Sequence, residues 1–117
     1  MIEVMHEMSI AISIVSTLKD EMALHPGMAL KKVTLGIGEL SGVEVESLRF
    51  SLEFALAEEN WQGIEFEMTK TPLGARCREC GARFAAEASD FRCPRCGSDK
   101  FDIEAGQSVT IDSIEVE

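Results

Sequence analysis

The first regular pattern along the chain is a helical stripe of apolar residues. From residue 8 to about residue 24, apolar side chains recur every three to four positions, at Met8, Ala11, Val15, Leu18 and Met22. This spacing predicts a helix, although Ile10, Ile12 and Ile14 alternate as they would in a strand. The length of the periodic run favours the helix, and the turn residues Pro26 and Gly27 end it.

Three later segments, residues 32–39, 64–68 and 108–111, alternate apolar and polar residues and are predicted strands. After the last of them, Ile114 and Val116 resume the apolar positions with the phase shifted by one. That shift indicates a β-bulge near residues 112–113 or the end of regular pairing.

A second helical stripe lies between the first two predicted strands, over residues 44–60. Its apolar side is formed by Val45, Leu48, Leu52, Ala55 and Leu56. Glu44 and Glu46 suit the positive N-terminus of this helix.

This order of elements predicts an α+β fold in which two helices cover one face of a three-stranded sheet. The segment 76–100 interrupts the pattern before the last strand. We therefore predict an α/β body formed by residues 1–75 and 101–117, and a small insertion at residues 76–100. A segment of this size is too small to fold on a core of its own.

All four cysteines lie in that segment, in Cys77-Arg-Glu-Cys80-Gly81 and Cys93-Pro-Arg-Cys96-Gly97. Two residues between cysteines allow both sulfurs to turn toward one ion, and the following glycine supplies the positive φ that a tight metal turn needs. Four thiolates suit tetrahedral zinc and leave no open position for a substrate. Cys77, Cys80, Cys93 and Cys96 are therefore predicted ligands of a structural zinc ion. The insertion 76–100 is thus a predicted Cys₄ zinc ribbon, and we expect it to depend on its metal to fold.

Other interpretations of the cysteines remain open. Two disulfides require an oxidising compartment, and the opening residues 1–7 lack the basic start and apolar core of a secretory signal. Tetrahedral sulfur also holds a single iron ion in electron carriers. A thioredoxin-type redox pair is disfavoured because the chain carries two matched pairs.

The net charge of −10 is unevenly distributed along the 117 residues. Segment 76–100 carries six basic and four acidic residues, a net charge of +2, which leaves −12 for the remainder of the chain. The arginines of the segment are most simply interpreted as counter-charges that favour thiolates. A body this acidic would repel phosphates, so we predict no nucleic-acid partner.

No stretch approaches the roughly 20 apolar residues of a membrane span, so we also predict no membrane partner.

The sequence offers little that suggests catalysis. No serine, histidine and acid set resembles a triad, and Gly36-x-Gly38 within a strand is too weak for a nucleotide-binding motif. We predict that the protein is not an enzyme and has no organic cofactor.

The front of the chain carries a candidate metal site. His6 and Glu7, in Met5-His6-Glu7-Met8-Ser9, come immediately before the predicted helix. A histidine beside a carboxylate can bind a borderline metal through imidazole and oxygen, although an exposed histidine at a helix end is usually only solvated. The second histidine, His25, lies beside Pro26 in a turn and is a weaker candidate for a metal ligand.

Taken together, the motifs resemble the HypA/HybF family of hydrogenase nickel-incorporation proteins. The resemblance rests on Met5-His6-Glu7-Met8-Ser9-Ile10, on Ile37-Gly-Glu-Leu-Ser-Gly-Val43, on Leu73-Gly-Ala-Arg-Cys-Arg-Glu-Cys80 and on Cys93-Pro-Arg-Cys96-Gly-Ser98. It runs in one consistent order from Met5 to the C-terminus. It implies a cytoplasmic nickel metallochaperone that works with a nickel-binding GTPase to load the large subunit of [NiFe] hydrogenase, and in some species with urease maturation proteins.

The resemblance also implies which residues bind nickel. The family's nickel ligand corresponds to His6, with Glu7 beside it. In that family the methionine before the histidine is the first residue, and its amine helps to bind the ion. Here residues 1–4 precede Met5, whose nitrogen is therefore a peptide nitrogen. Either the natural start is Met5, or nickel is held by a different ligand set that includes water.

Two other functions remain as alternatives. The first is a zinc-ribbon adaptor that recognises a protein partner without transferring nickel. The second is a small electron carrier with iron in its thiolate site. Nickel titration separates the first alternative from nickel delivery, and visible absorption of ferric thiolate separates the second.

Overall fold

The structure, a computed structural model, describes residues 2–86 and 89–117, with side chains described from His6 onward. Its elements, in chain order, are α1 (Ile2–Met22), β1 (Leu30–Gly38), α2 (Val45–Glu58), β2 (Glu65–Thr71), β3 (Gly74–Cys77), β4 (Arg83–Ala85), β5 (Phe101–Ala105) and β6 (Val109–Val116). Within these ranges neither helix is long and apolar enough to cross a membrane.

The strands form two sheets of three strands each, in the order β2-β1-β6 and β4-β3-β5. The first sheet consists of the three predicted strands, so the predicted α+β fold with two helices and a three-stranded sheet is confirmed. In the second sheet β3 pairs antiparallel with both neighbours, and Ala75 lies opposite Phe84 and Ile103. The three strands of this second sheet were predicted only as a small ribbon, because they are too short to show an alternating pattern.

Two predicted boundaries differ from the structure. Helix α1 begins at Ile2 rather than at residue 8, so the prediction that His6 precedes the helix is wrong. The apolar stripe in fact continues back to Val4, four residues before Met8, so the predicted start of the helix was placed one turn too late. Strand β6 continues through Asp112 and Ser113, both exposed, and the alternation of burial shifts by one at that point. The predicted phase shift is therefore confirmed, and pairing does not end there.

The chain divides into two compact units, which are described separately. Unit 1 comprises Met1–Gly36, Val43–Thr69 and Thr110–Glu117, and unit 2 comprises Ile37–Gly42 and Lys70–Val109. The boundaries 76 and 100 proposed from the sequence stay a prediction.

Unit 1 is built around the packing of α1 against α2. Its buried apolar side chains come from both helices and from β1: Ala11, Ile14, Val15, Leu18, Leu30, Val33, Leu35, Leu48, Leu52, Ala55 and Leu56. On β1, buried Val33 and Leu35 alternate with Lys32, whose amine lies 2.8 Å from the carboxylate of Glu67 on β2. This alternation is what a sheet buried on one face requires.

Unit 2 contains a small hydrophobic cluster of its own. Leu73, Ala75 and Ala86 are buried, and Phe84, Phe101 and Ile103 pack against them. The rings of Phe84 and Phe101 meet edge to face at 5.8 Å between centroids. Most of these residues lie outside 76–100, so the cysteine segment shares a hydrophobic cluster that extends beyond the predicted insertion.

Three backbone segments of unit 2 approach one another closely at two glycines. A Cβ on Gly38 would lie 2.5 Å from the backbone of Gly106, and a Cβ on Gly106 would lie 2.8 Å from the backbone of Leu73 and Pro72. Gly106 also has a φ of +90°, a backbone conformation that residues with a Cβ rarely adopt. Both positions therefore require glycine.

Candidate metal sites

The two cysteine motifs fold into matching turns. The N–H of Cys77 donates to the carbonyl of Ala82 at 2.8 Å, and the N–H of Cys93 donates to that of Ser98 at 2.9 Å. Gly81 and Gly97 donate back to the carbonyls of Cys77 and Cys93, at 3.0 and 2.8 Å.

The glycines confirm the positive φ expected after each second cysteine, with values of +77° at Gly81 and +78° at Gly97. The equal spacing in the sequence thus produces equal local structure.

These turns bring the four sulfurs together. The Sγ atoms of Cys77 and Cys96 are 3.5 Å apart, as are those of Cys80 and Cys93, and all four lie within 4.8 Å of one another. Zinc–sulfur bonds of about 2.3 Å in a tetrahedron place the sulfurs about 3.8 Å apart. The cysteines are free, and these separations far exceed a disulfide bond of about 2.05 Å. The donor set and spacing fit one tetrahedral cation.

Backbone N–H groups favour the ionised form of two of the four thiols. The N–H of Cys80, and with it that of Glu79, points at the sulfur of Cys77 at 3.4 Å, and these donors lower the pKa of Cys77 to about 6. Burial opposes ionisation of Cys93, but the N–H groups of Cys96 and Arg95 outweigh it and its pKa is lowered.

The two remaining thiols behave in the opposite way. Despite a favourable N–H from Ser98, the neighbouring sulfur of Cys77 and burial raise the pKa of Cys96 to about 12. Despite the N–H of Ala82, burial and the sulfur of Cys93 raise the pKa of Cys80. Four adjacent thiols thus resist full ionisation, and a divalent cation among them would remove that resistance.

Two of the five arginines in segment 76–100 do not act as the sequence suggested. Arg78 binds Asp102 at 2.7 Å and Arg83 binds Glu104 at 2.8 Å, so two of them neutralise carboxylates of β5. The thiolates are instead favoured by N–H donors of their own turns. The interpretation of Arg78 and Arg83 as counter-charges for sulfur is wrong.

The structure separates the two candidate nickel ligands. His6 is exposed on α1, whereas Glu7 is fully buried. Adjacent helical residues point about 100° apart, so they do not face each other. Oε2 of Glu7 accepts the N–H of Glu44 at 3.0 Å, immediately before α2, and Oε1 has no partner among the described residues.

Sequence reasoning missed this contact, although a signal for it exists. Glu7 lies four residues before Ala11 and seven before Ile14, which places it on the buried stripe of α1. An acidic residue in line with a core stripe indicates a buried carboxylate with a specific partner.

His25 lies at the other end of α1, with Nε2 3.5 Å from a carboxylate oxygen of Glu21. Among the described residues, the four cysteines form the one cluster of three or more potential ligands. His6 is not part of any such cluster.

The chain is similar to proteins of one family over almost its whole length. A family model described as hydrogenase/urease nickel incorporation, metallochaperone, HypA matches residues 5–116. The hydrogenase maturation factor HypA of Azotobacter chroococcum is 38% identical over 113 residues, which cover 97% of this chain and all of the relative. HypA of Chlorobaculum parvum is 34% identical with the same coverage.

Two solved structures share the fold. The solution structure of the nickel metallochaperone HypA from Helicobacter pylori superposes with a TM-score of 0.74 at 21% identity, covering 93% of this chain and 95% of that one. A second HypA solution structure gives 0.75 at 23% identity, with 95% of each chain covered.

Proposed function

Because the chain belongs to the HypA family of hydrogenase and urease nickel-incorporation metallochaperones, we propose that it binds Ni(II) through His6 and delivers it to [NiFe] hydrogenase. In this proposal a nickel-binding GTPase assists the transfer, the large subunit of the hydrogenase receives the ion, and the exchange takes place in the cytoplasm. Urease maturation proteins are a second class of recipient. The observation that carries the proposal is the family match over residues 5–116.

The exposure of His6 supports its role as the principal ligand. Imidazole is a good donor for Ni(II), and an exposed side chain is accessible to both the ion and a recipient protein. A ligand that is to be exchanged must not be locked into a buried network, and this condition is met by His6 and not by Glu7. The carboxylate of Glu7 would have to leave the N–H of Glu44 before it could bind nickel.

The position of His6 inside α1 affects the geometry of the ion. In an α-helix the N–H of residue 6 donates to the carbonyl of residue 2, so a backbone nitrogen can bind nickel only if this turn opens. In the chain that starts at Met1 we propose that the imidazole and water molecules hold the ion. A chain that starts at Met5 has a free amine next to His6, which favours the square-planar nitrogen geometry that Ni(II) accepts.

We propose that the four cysteines hold a structural zinc ion and that neither site carries out catalysis. The sulfur spacing supports a closed tetrahedral site, because four protein ligands leave no position for a substrate. Zinc would stabilise unit 2 by replacing repulsion among ionised sulfurs with four metal–sulfur bonds.

Calorimetric nickel titration of the zinc-loaded protein tests the proposal. We expect His6→Ala to lower nickel affinity at least tenfold with unchanged zinc content and circular dichroism. His25→Ala is the matched control, since it removes the other histidine at the far end of α1, and it should bind like the parent.

A chain starting at Met5 should bind nickel more tightly and show the visible absorption of a square-planar ion. Equal nickel affinity of His6→Ala and the parent protein would refute His6 as the ligand. That result would favour the alternative of an adaptor that transfers no metal.

A further inference from the structure

A groove runs along the surface of unit 1 between α1 and α2, and the nickel proposal makes no use of it. It encloses about 300 Å³. Its lining includes Met8, Ile12 and Val15 of α1, and Phe54, Ala55 and Glu58 of α2. We refer to it as the helix groove.

Large apolar side chains stand open to solvent along this groove. Ile12 is 57% exposed and Phe54 is 54% exposed, on opposite walls. Phe50 precedes Phe54 by one helical turn, which places it on the same side of α2, and it is 66% exposed. An exposed aromatic pair beside an apolar groove marks an interaction surface more often than a solvated face.

Acidic side chains beside the groove indicate the charge of the partner that would bind there. Glu46 and Glu53 flank Phe50 on α2, and Glu58 lines the groove itself. No described residue forms an ion pair with any of these three carboxylates. The lysine of the lining, Lys19, is already paired with Glu59 at 2.9 Å, so the groove is apolar at its floor and acidic at its edge.

We propose that the helix groove docks a basic amphipathic helix of a partner protein. Its apolar stripe would cover Ile12 and Phe54, as helices do when they bind between two others. Lysines or arginines at its margin would face Glu58, which lines the groove. Along α1 the lining extends from Met8 to Lys19, a length of roughly 17 Å or about eleven helical residues.

A second copy of this chain is a poor occupant. Each copy carries a net charge of −10, and an isologous contact would place the acidic margins against each other. The expected partner is therefore a different protein.

The proposal does not rest on nickel binding. Met8 lies two residues after His6, so the two side chains leave α1 about 160° apart. Variants of the groove should retain the nickel affinity of the parent, which separates failure of this proposal from failure of the proposed function.

Three synthetic 14-residue peptides test the groove. One has leucines on one helical face and lysines elsewhere, a second has the same residues in a scrambled order, and a third has glutamate in place of lysine. Binding is followed by fluorescence anisotropy of labelled peptide and by amide chemical shifts of α1 and α2 on the full chain. We expect only the basic amphipathic peptide to bind and to shift the groove resonances.

Matched serine variants separate specific docking from general attraction between opposite charges. Phe50→Ser with Phe54→Ser should weaken binding at least tenfold without changing net charge or circular dichroism. Phe91→Ser is the control, because Phe91 is a similarly exposed ring, 48% exposed, in unit 2, and its affinity should stay within twofold of the parent.

Equal affinity of the double variant and the parent, or equal binding of the acidic peptide, would overturn the proposal. So would sedimentation showing a dimer of the parent that the double variant converts to a monomer, since the occupant would then be a second copy.

Discussion

At the scale of single residues, Glu7 shows how one buried carboxylate connects two helices. It is fully buried, yet one of its oxygens accepts the N–H of Glu44, 37 residues away in sequence. The N-terminus of α2 supplies partial positive charge at this point, which favours a carboxylate there. Glu7 therefore ties α1 to the start of α2.

We expect Glu7→Ala to destabilise the protein by about 3 kcal/mol, because it removes the acceptor of a partly buried hydrogen bond and leaves a cavity where Glu7 was fully buried. Glu7→Gln keeps an oxygen acceptor for Glu44 and should cost less than about 1 kcal/mol. Denaturant unfolding measures both, with zinc content as the control. If Glu7→Gln instead lowered nickel affinity without changing stability, the carboxylate would act as a nickel ligand.

Gly106 is a second residue at which one atom decides the packing. We expect Gly106→Ala to destabilise unit 2 by about 3 kcal/mol or more, since the new Cβ combines a left-handed φ with a backbone clash. Gly27→Ala is the control, because Gly27 has a φ of +81° but no atom within 4 Å of its Cβ position. That variant should lose only about 1 kcal/mol. Similar losses in the two variants would show that the close approach contributes nothing.

At the scale of elements, α2 is held at its start by an unusual cap. Glu44 is the N-cap residue, and its carboxylate accepts hydrogen bonds from the N–H and hydroxyl of Ser47 at 2.9 and 3.0 Å. These bonds lower the pKa of Glu44 below its ordinary value of 4.5, and the bond from the N–H of Ser47 has the largest effect. The cap is therefore stronger while Glu44 is ionised.

This depressed pKa predicts a pH dependence of stability. A group whose pKa is lower in the folded state stabilises the fold above its unfolded pKa and loses that effect as pH falls through its folded pKa. Glu44→Gln should therefore lower the thermal midpoint relative to the parent at pH 7, and the difference should shrink as pH falls below 4.5. Glu53→Gln, an exposed substitution within α2, should show no such convergence. A difference that is independent of pH would contradict the role of the carboxylate.

At the scale of the whole molecule, the two units are stabilised by different means. Unit 1 buries continuous apolar stripes of two helices and a strand. Unit 2 has a cluster of three buried residues with partly buried neighbours, together with the four-sulfur site. Small domains with few buried side chains commonly need a metal to fold.

Metal removal should therefore affect the units unequally. We expect a strong chelator, or Cys93→Ser, to abolish protection of unit 2 amides in hydrogen exchange while α1 and α2 remain protected. The parent should contain one zinc ion per chain by elemental analysis and no iron absorption in the visible. Full protection of unit 2 after zinc loss would show that its hydrophobic cluster suffices.

Features that depend on neighbours along the chain could be predicted from the order of residues alone. The period of apolar residues predicted both helices and the three strands of the first sheet, because each element repeats its pattern every two or 3.6 residues. The spacing of the cysteines and the glycines after them predicted the paired turns for the same reason. The motifs from Met5 to Ser98 were sufficient to identify the family.

Features that depend on residues far apart in sequence became visible only in the folded chain. It placed Glu7 in a buried contact with Glu44 while leaving His6 exposed, although the two are adjacent in the chain. It also brought the end of β1 against Gly106, which explains two glycines that no local pattern requires. Burial and close approach are properties of pairs of segments, so a pattern read along one segment does not contain them.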